Sequence, residues 1–401
     1  MTISHVLVSV TGPDGPGITA RLTGLVAAGD AQLLDIEQVV VQGHLTLALL
    51  IAIPEEKSVL KELLFAAKEL GVELDFEPVE APSAKGDADV VRWVINVIAP
   101  QLGARALHEV ATVVAEHGGN IEKIARLSEG YAMTSVEVQI GLPRGSDDGA
   151  LRQSLLQLGS RGSFDVALQR EGLFRRSKRL VVMDMDSTLI RIEVIDELAR
   201  AHGVEREVAA ITERAMAGEM DYDESLRQRL ALLRGLDVRV LERIAEELPL
   251  TDGAELLIRV LRRLGYKTAV ISGGFTVAAD ALKRRLGIDY AYSNRLEIEG
   301  GKLTGRVIGP IVNGRRKAEL LEVIAQAEGV LLDQVIAVGD GANDLLMLEK
   351  AGLGIAFRAK QKLREAADSA ISTSGLEAIL HLLGLRASEV AEVARDRGDS
   401  T

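Results

Sequence analysis

The organisation of the chain turns on residues 179–188, which read RLVVMDMDST. Leu180–Met183 is a short apolar run suited to a buried parallel strand, and Asp184 and Asp186 follow at its end. In open α/β sheets the ends of such strands are where ligands and catalytic groups sit. Two carboxylates on alternate residues can act as nucleophile and as acid/base when their surroundings give them different proton affinities. Taken alone, an Asp-x-Asp also fits a capped turn, so neighbouring motifs have to discriminate.

Three further motifs have the same strand-then-loop form or support it. The apolar run Lys267–Ile271 ends in Ser272-Gly273-Gly274, where a hydroxyl and unhindered N–H groups suit phosphate oxygens. Lys317 stands near the start of a helix whose apolar spacing is marked by Leu320, Leu321 and Ile324. Val335–Val338 then runs into Gly339-Asp340-Gly341-Ala342-Asn343-Asp344. Asp344 occupies the third glycine position of Gly-x-Gly-x-x-Gly, so a dinucleotide fingerprint fails. The spacing does not fit a calcium EF-hand loop either, whereas hard oxygen ligands on a tight loop suit Mg²⁺.

In this order, at strand ends, the four motifs resemble the haloacid dehalogenase phosphatase superfamily over about residues 179–385. The resemblance implies an α/β, Rossmann-like core and an aspartyl-phosphate on Asp184, with Asp186 as proton donor and then base. It implies Mg²⁺ held by Asp184, Asp340 and the backbone carbonyl of Asp186, with Asp344 supporting the metal shell. Ser272, Gly273 and Lys317 would bind phosphoryl oxygens, Asn343 would assist, and Thr188 would orient the nucleophile loop. Phosphoryl transfer is mostly positioning and charge neutralisation, which such a set supplies.

Between the first two motifs the chain reads as four helices, Val194–Ala201, Glu205–Met216, Tyr222–Leu233 and Val238–Glu247. They form a helical cap at about 193–250, of the kind that selects substrate and excludes water. Ile192-Glu193, the Met-x-Gly-x-Met-x-Tyr stretch ending at Tyr222, Arg229 and Ser272-Gly273-Gly274-Phe275 resemble the phosphoserine phosphatase family. A carboxylate and a guanidinium facing one pocket would hold the two poles of an amino acid. The resemblance gives those roles to Glu193 and Arg229, with Met216 and Tyr222 lining the pocket. Asn294–Ile308 reads as a hairpin around Gly300-Gly301.

Towards the N-terminus a strand, helix, strand, strand, helix, strand order occurs twice, in 1–80 and 88–170, with the copies offset by about 86–88 residues. The proposed linker Glu77–Asp87 contains two prolines. Two ferredoxin-like α+β domains are predicted, and they resemble paired ACT domains. The carrying piece is Asp14-Gly15-Pro16-Gly17-Ile18, a strand-to-helix turn that in that family lies near a bound amino acid. The second copy keeps only Gly103 of Pro100-Gln101-Leu102-Gly103. Asp14, Gly17 and Gly103 are therefore the regulatory candidates, and the same glycines also fit plain tight turns.

Composition bounds the rest. The 401 residues predict two to four domains, and 47% apolar with 26% charged residues is ordinary globular usage. A net charge of −12, without a basic footprint, argues against nucleic acid as partner. The absence of cysteine excludes disulfides and thiol catalysis. With no signal-like N-terminus and no apolar run of about 18 residues, a cytoplasmic protein without membrane contact is expected.

The combined expectation is a Mg²⁺-dependent phosphatase releasing L-serine and phosphate from O-phospho-L-serine, the last step of serine biosynthesis. L-serine is the expected effector and a homodimer the expected assembly, with 386–401 as a C-terminal tail. The alternatives are another capped phosphatase or phosphotransferase, and an amino-acid sensor with a vestigial phosphatase.

Overall fold

The structure is a computed structural model that describes residues 3–54, 59–80, 89–129 and 134–395. Residues 57–58 of the second expected helix, most of the expected linker, Gly130 of the Ser128-Glu129-Gly130 turn, Ala132 and residues 396–401 lie outside the described residues. The chain forms two compact units, 1–88 and 89–401.

In the first unit, β1 (Ile3–Pro13), α1 (Ile18–Ala28), β2 (Gln32–Val41), β3 (His44–Pro54), α2 (Val59–Leu70) and β4 (Glu73–Val79) follow the predicted order. The antiparallel sheet has strand order β2-β3-β1-β4. Alternation in β3 places Leu45, Leu47, Leu49 and Ile51 on one face, fully buried in the same core as Leu22 and Leu63 from the helices. Helix α1 begins after Gly17, whose φ of 94° is a left-handed conformation that costs glycine little.

The second repeat comprises β5 (Val90–Ile98), α3 (Ala104–Glu116), β6 (Asn120–Arg126), β7 (Ser135–Pro143), α4 (Asp148–Arg161) and β8 (Asp165–Arg170). Its core is built on Ile95, Val97, Ile140 and Trp93. It does not stand alone. Strand β8 pairs antiparallel with β15 (Ser369–Ile371), Ala167 opposite Ser369, so that one sheet of eleven strands runs through the second unit. The sequence DVALQR of β8 is buried up to its final arginine, leaving an edge that burial favours covering. Buried Asp165 accepts hydrogen bonds from the N–H groups of Ser372, Thr373 and Ser374. Arg175, buried, pairs with Glu137 and with Glu171.

The catalytic part begins at β9 (Leu180–Met183), buried throughout. Cap helices α5 (Val194–His202), α6 (Glu205–Met216), α7 (Tyr222–Leu232) and α8 (Val238–Glu246) match the expected four within a residue or so. There follow α9 (Ala254–Arg263), β10 (Lys267–Phe275), α10 (Thr276–Leu286), β11 (Tyr290–Glu299), β12 (Lys302–Ile308) and α11 (Gly314–Ala327). Strand β13 (Val335–Gly339), α12 (Leu345–Lys350), β14 (Leu353–Phe357) and α13 (Gln361–Ala366) precede β15, with α14 (Ala378–Leu382) and α15 (Ala387–Arg395) after it. In the sheet β9 lies between β10 and β13, parallel to both, with Val182 opposite Ala269 and Ala337. That is a topological switch point, where a crevice opens beyond the strands' carboxyl ends.

One reading changes: within the expected C-terminal tail, Ala387–Arg395 form helix α15, whose Val390 and Val393 pack against the main core. The expected 294–308 hairpin forms and fastens the cap: Gly235 donates to the Leu303 carbonyl at 2.8 Å, Leu303 to Leu236 at 2.9 Å and Val238 to Gly301 at 2.9 Å. Among the described residues no helix is long and apolar enough to cross a membrane.

Candidate active site

Strand β9 delivers Asp184 to the crevice, where its N–H still bonds the Val338 carbonyl at 2.9 Å. The chain then turns through a tight helical loop, Met185–Leu189, with Ser187 left-handed at φ 57°. This turn separates the two carboxylates. Asp184 Oδ2 lies 2.8 Å from Lys317 Nζ. Asp186 points elsewhere, accepting from the Val194 N–H at 3.1 Å and from the Ser272 hydroxyl at 3.3 Å.

Lys317 is fully buried and also bonds Asp344 Oδ1 at 2.7 Å. It lies on the helical face of Leu320, Leu321 and Ile324, so the stripe that buries α11 also buries the lysine. Asn313 caps this helix by accepting from the Arg316 N–H, and its amide reaches Asp223 of the cap at 3.0 Å. Thr188 donates to Asp340 at 3.0 Å, tying the nucleophile loop to the loop after β13. Asp344 accepts from the Gly341 N–H at 3.0 Å, and Asn343 is half-buried beside it.

The phosphate-type loop is fixed by Tyr222 and by one residue without a role in the sequence reading, Asn294. Asn294, buried in β11, donates to the Gly273 carbonyl at 2.7 Å and accepts from the Val312 N–H at 2.8 Å. Tyr222 of the cap donates to the same carbonyl at 3.3 Å. A side chain at Gly273 would collide with the Tyr222 hydroxyl, and one at Gly274 would meet Asp186 Oδ2 at 2.5 Å. The available signal for Asn294 was an asparagine within a strand, where that residue is depleted.

Electrostatics follow from burial. Burial and the nearby Asp344 push the Asp184 carboxyl well above the usual range, against the pull of Lys317. Burial, then Glu193, raises Asp186 to about 7. Burial and the Asp344 charge likewise raise Asp340 to about 7. For Lys317, burial acts to lower the value, but Asp184 and Asp344 more than offset it and the ammonium is held. Ligand atoms of Asp184, Asp340 and Asp344 lie within 4.8 Å of one another. Three crowded carboxylates facing one ammonium leave uncompensated negative charge, and their hard oxygens fit a small divalent cation. The Asp186 side chain lies outside this cluster.

The expected substrate-binding residues are less gathered. Glu193 stands exposed at the N-terminal end of α5, held by the Ser187 hydroxyl at 2.7 Å. Arg229, half-buried on α7, donates to its own helix at Ser225, and no salt bridge engages it among the described residues. Met216 is 68% exposed at the end of α6, with its sulfur accepting from Lys360 at 3.3 Å. Of the regulatory candidates, Asp14 is exposed in the turn before α1, while Gly103 precedes α3 at φ −103° in open space.

Comparison with known proteins identifies the family of each part of the chain. The haloacid dehalogenase-like hydrolase family matches residues 178–352, and ACT domain families match 4–77 and 92–169. A phosphoserine phosphatase of Streptomyces coelicolor is 43% identical, covering 99% of this chain and 97% of the relative. Phosphoserine phosphatase SerB2 of Mycobacterium tuberculosis is also 43% identical, covering 98% and 96%. Among solved structures, a HAD family hydrolase from Salmonella enterica serovar Typhi superposes with TM-score 0.63 at 31% identity, over 73% of this chain and 98% of that one. A probable phosphoserine phosphatase from Vibrio cholerae, unliganded, gives 0.55 at 34% identity, over 77% and 90%.

Proposed function

Since the chain belongs to the phosphoserine phosphatases of the haloacid dehalogenase-like hydrolases, with two ACT domains, we propose that it hydrolyses O-phospho-L-serine to L-serine and phosphate. The observation that carries the mechanism is the separation of two buried carboxylates, Asp184 on Lys317 and Asp186 on Ser272 and Val194.

In this reading an Asp184 oxygen attacks phosphorus in line, and the bond from phosphorus to the serine oxygen breaks. Asp186, raised to about 7 by burial and then by Glu193, donates its proton to that departing oxygen. As carboxylate it then takes a proton from the water that attacks phosphorus, which frees phosphate and restores Asp184. Lys317, Ser272 and the Gly273 N–H hold phosphoryl oxygens, with Asn343 assisting. Asp184, Asp340 and the Asp186 carbonyl, with Asp344 in support, would hold Mg²⁺, which would supply neutralisation of the phosphate charge. Glu193 holds the substrate ammonium and Arg229 its carboxylate, between Tyr222 and Met216.

The same proposal places the reaction at the end of serine biosynthesis in the cytoplasm. L-serine binds the ACT domains near Asp14, Gly17 and Gly103 as effector, in a homodimer. The test is phosphate release from O-phosphoserine, with and without Mg²⁺ and added serine, against other small phosphomonoesters. Asp184→Asn should lose about a thousandfold or more in kcat; retained turnover would overturn the nucleophile assignment. Equal rates on all esters would overturn the substrate.

A further inference from the structure

Ser187 belongs to the DMDST stretch, yet no step above uses it. Its geometry is unusual. Among the described residues only Asp30, Gln42, Ser187 and Arg358 combine a side chain with a left-handed φ, and Ser187 is the one within the nucleophile loop. Such conformations are strained for non-glycine residues and persist where the surroundings enforce them. Here the enforcement is local. The Ser187 N–H donates to the Ile192 carbonyl at 3.3 Å, and its hydroxyl donates to Glu193 Oε1 at 2.7 Å. Both bonds reach across to the first residues of the cap.

Glu193 needs such a tether. It is exposed at the end of α5 and makes no side-chain bond to the helix's free N–H groups, so its long side chain would otherwise sample several rotamers. The hydroxyl that holds it belongs to the residue next to Asp186 in the nucleophile loop, which keeps the carboxylate beside the reacting centre. We propose that Ser187 is a positioning residue that sets substrate specificity: its hydroxyl, aimed by the left-handed turn, fixes the Glu193 carboxylate for the ammonium group of an amino-acid phosphomonoester. The second oxygen of Glu193 stays available to the ligand, while the first is spent on the hydroxyl. The nucleophile loop and the specificity carboxylate are thereby linked within one seven-residue span, 187–193. This rests on the reading of Glu193 as the ammonium contact.

The experiment compares kcat/KM for O-phosphoserine with that for p-nitrophenyl phosphate, which has no ammonium, in the full-length protein and in Ser187→Ala, Ser187→Gly, Glu193→Gln and the Ser187→Ala/Glu193→Gln double variant. Ser187→Ala should lower the phosphoserine preference about tenfold, the scale of one hydrogen bond to a charged group. Ser187→Gly, which removes the backbone strain together with the hydroxyl, should lose the same preference. The double variant should fall no further than Glu193→Gln alone. If Glu193→Gln loses the preference while Ser187→Ala and Ser187→Gly keep it, or if the double loss is the product of the single losses, the positioning role is overturned and the ammonium reading stands. If Glu193→Gln itself keeps the preference, the ammonium reading is overturned and the positioning role falls with it.

Discussion

The first repeat keeps a four-stranded sheet of its own, whereas the second, with the same strand and helix order, gives its last strand to the catalytic sheet. The difference lies in one edge. Strand β4 reads ELDFEPV, with alternating acidic residues and a proline that discourage further pairing. Strand β8 reads DVALQR, is buried, and pairs with β15. Beyond it, Gln169 bonds the Leu382 carbonyl at 2.9 Å and Asn96 bonds that of His381 at 3.3 Å. A duplicated module has thus kept its topology while one copy became part of the catalytic unit's framework.

The largest effect should come from attacking that edge. Val166→Asp places a charge inside the joined sheet and should destabilise the catalytic unit by about 4 kcal/mol or more, read as its thermal transition together with loss of turnover. Leu74→Asp, on the half-buried edge of the first repeat, should leave turnover and that transition in place. Equal damage from both would show that the repeats are coupled alike.

Next is the buried pair. Arg175→Ala removes the buried partner of Glu137 and leaves it with Gln139 and the exposed Arg176 at 3.9 Å; breaking a buried pair costs about 3–5 kcal/mol, and these remaining neighbours should hold the loss to about 3 kcal/mol. The exposed Arg21–Glu69 pair of the first repeat, 3.8 Å apart, should contribute at most about 1 kcal/mol. Denaturant titration of Arg175→Ala and Arg21→Ala measures the contrast.

A third measurement uses protons and cations. Asp186 and Asp340 are raised to about 7 by burial, then by their acidic neighbours, so the folded state binds more protons than the unfolded chain from about pH 4 to 7. Their contribution to stability is therefore fully present at low pH and lost as pH rises through about 7. Added Mg²⁺ should raise the transition of the catalytic unit more at pH 8 than at pH 5, because only ionised carboxylates need neutralising. The transition of residues 1–88 should not move. Calorimetry at the two pH values decides; a cation shift equal at both would contradict the assignment of the cluster.

The smallest contrast is between two glycines at matching turns. Gly17→Ala must adopt φ 94° and should cost about 1–2 kcal/mol. Gly103→Ala, at φ −103° in open space, should be neutral or stabilise by up to about 1 kcal/mol. A similar cost at both would mean that the second turn is as constrained as the first.

Much of this molecule was legible in one dimension. Apolar runs ending in Asp184, Ser272 and Asp340 mark strand ends because burial on both faces requires continuous apolar sequence. The cap helices Glu205–Met216 and Val194–His202 show in their periodicity, which the structure reproduces within a residue. Lys317 shares the stripe of Leu320 and Ile324, but a helix lysine reads by default as a solvated charge, and only the folded chain shows it buried against Asp184 and Asp344. What no reading of local pattern could supply is pairing between segments distant in the chain. The joining of β8 to β15 spans about two hundred residues, and neither strand's alternation names its partner. Asn294 on the Gly273 carbonyl, the hairpin that fastens the cap and the orientation of Asp186 away from Asp184 are of the same kind. Sequence fixes which groups are present and on which face of an element they lie, through covalent geometry and burial. Proton affinities and charge balance depend on distances between those groups, and distances exist only once the chain has folded.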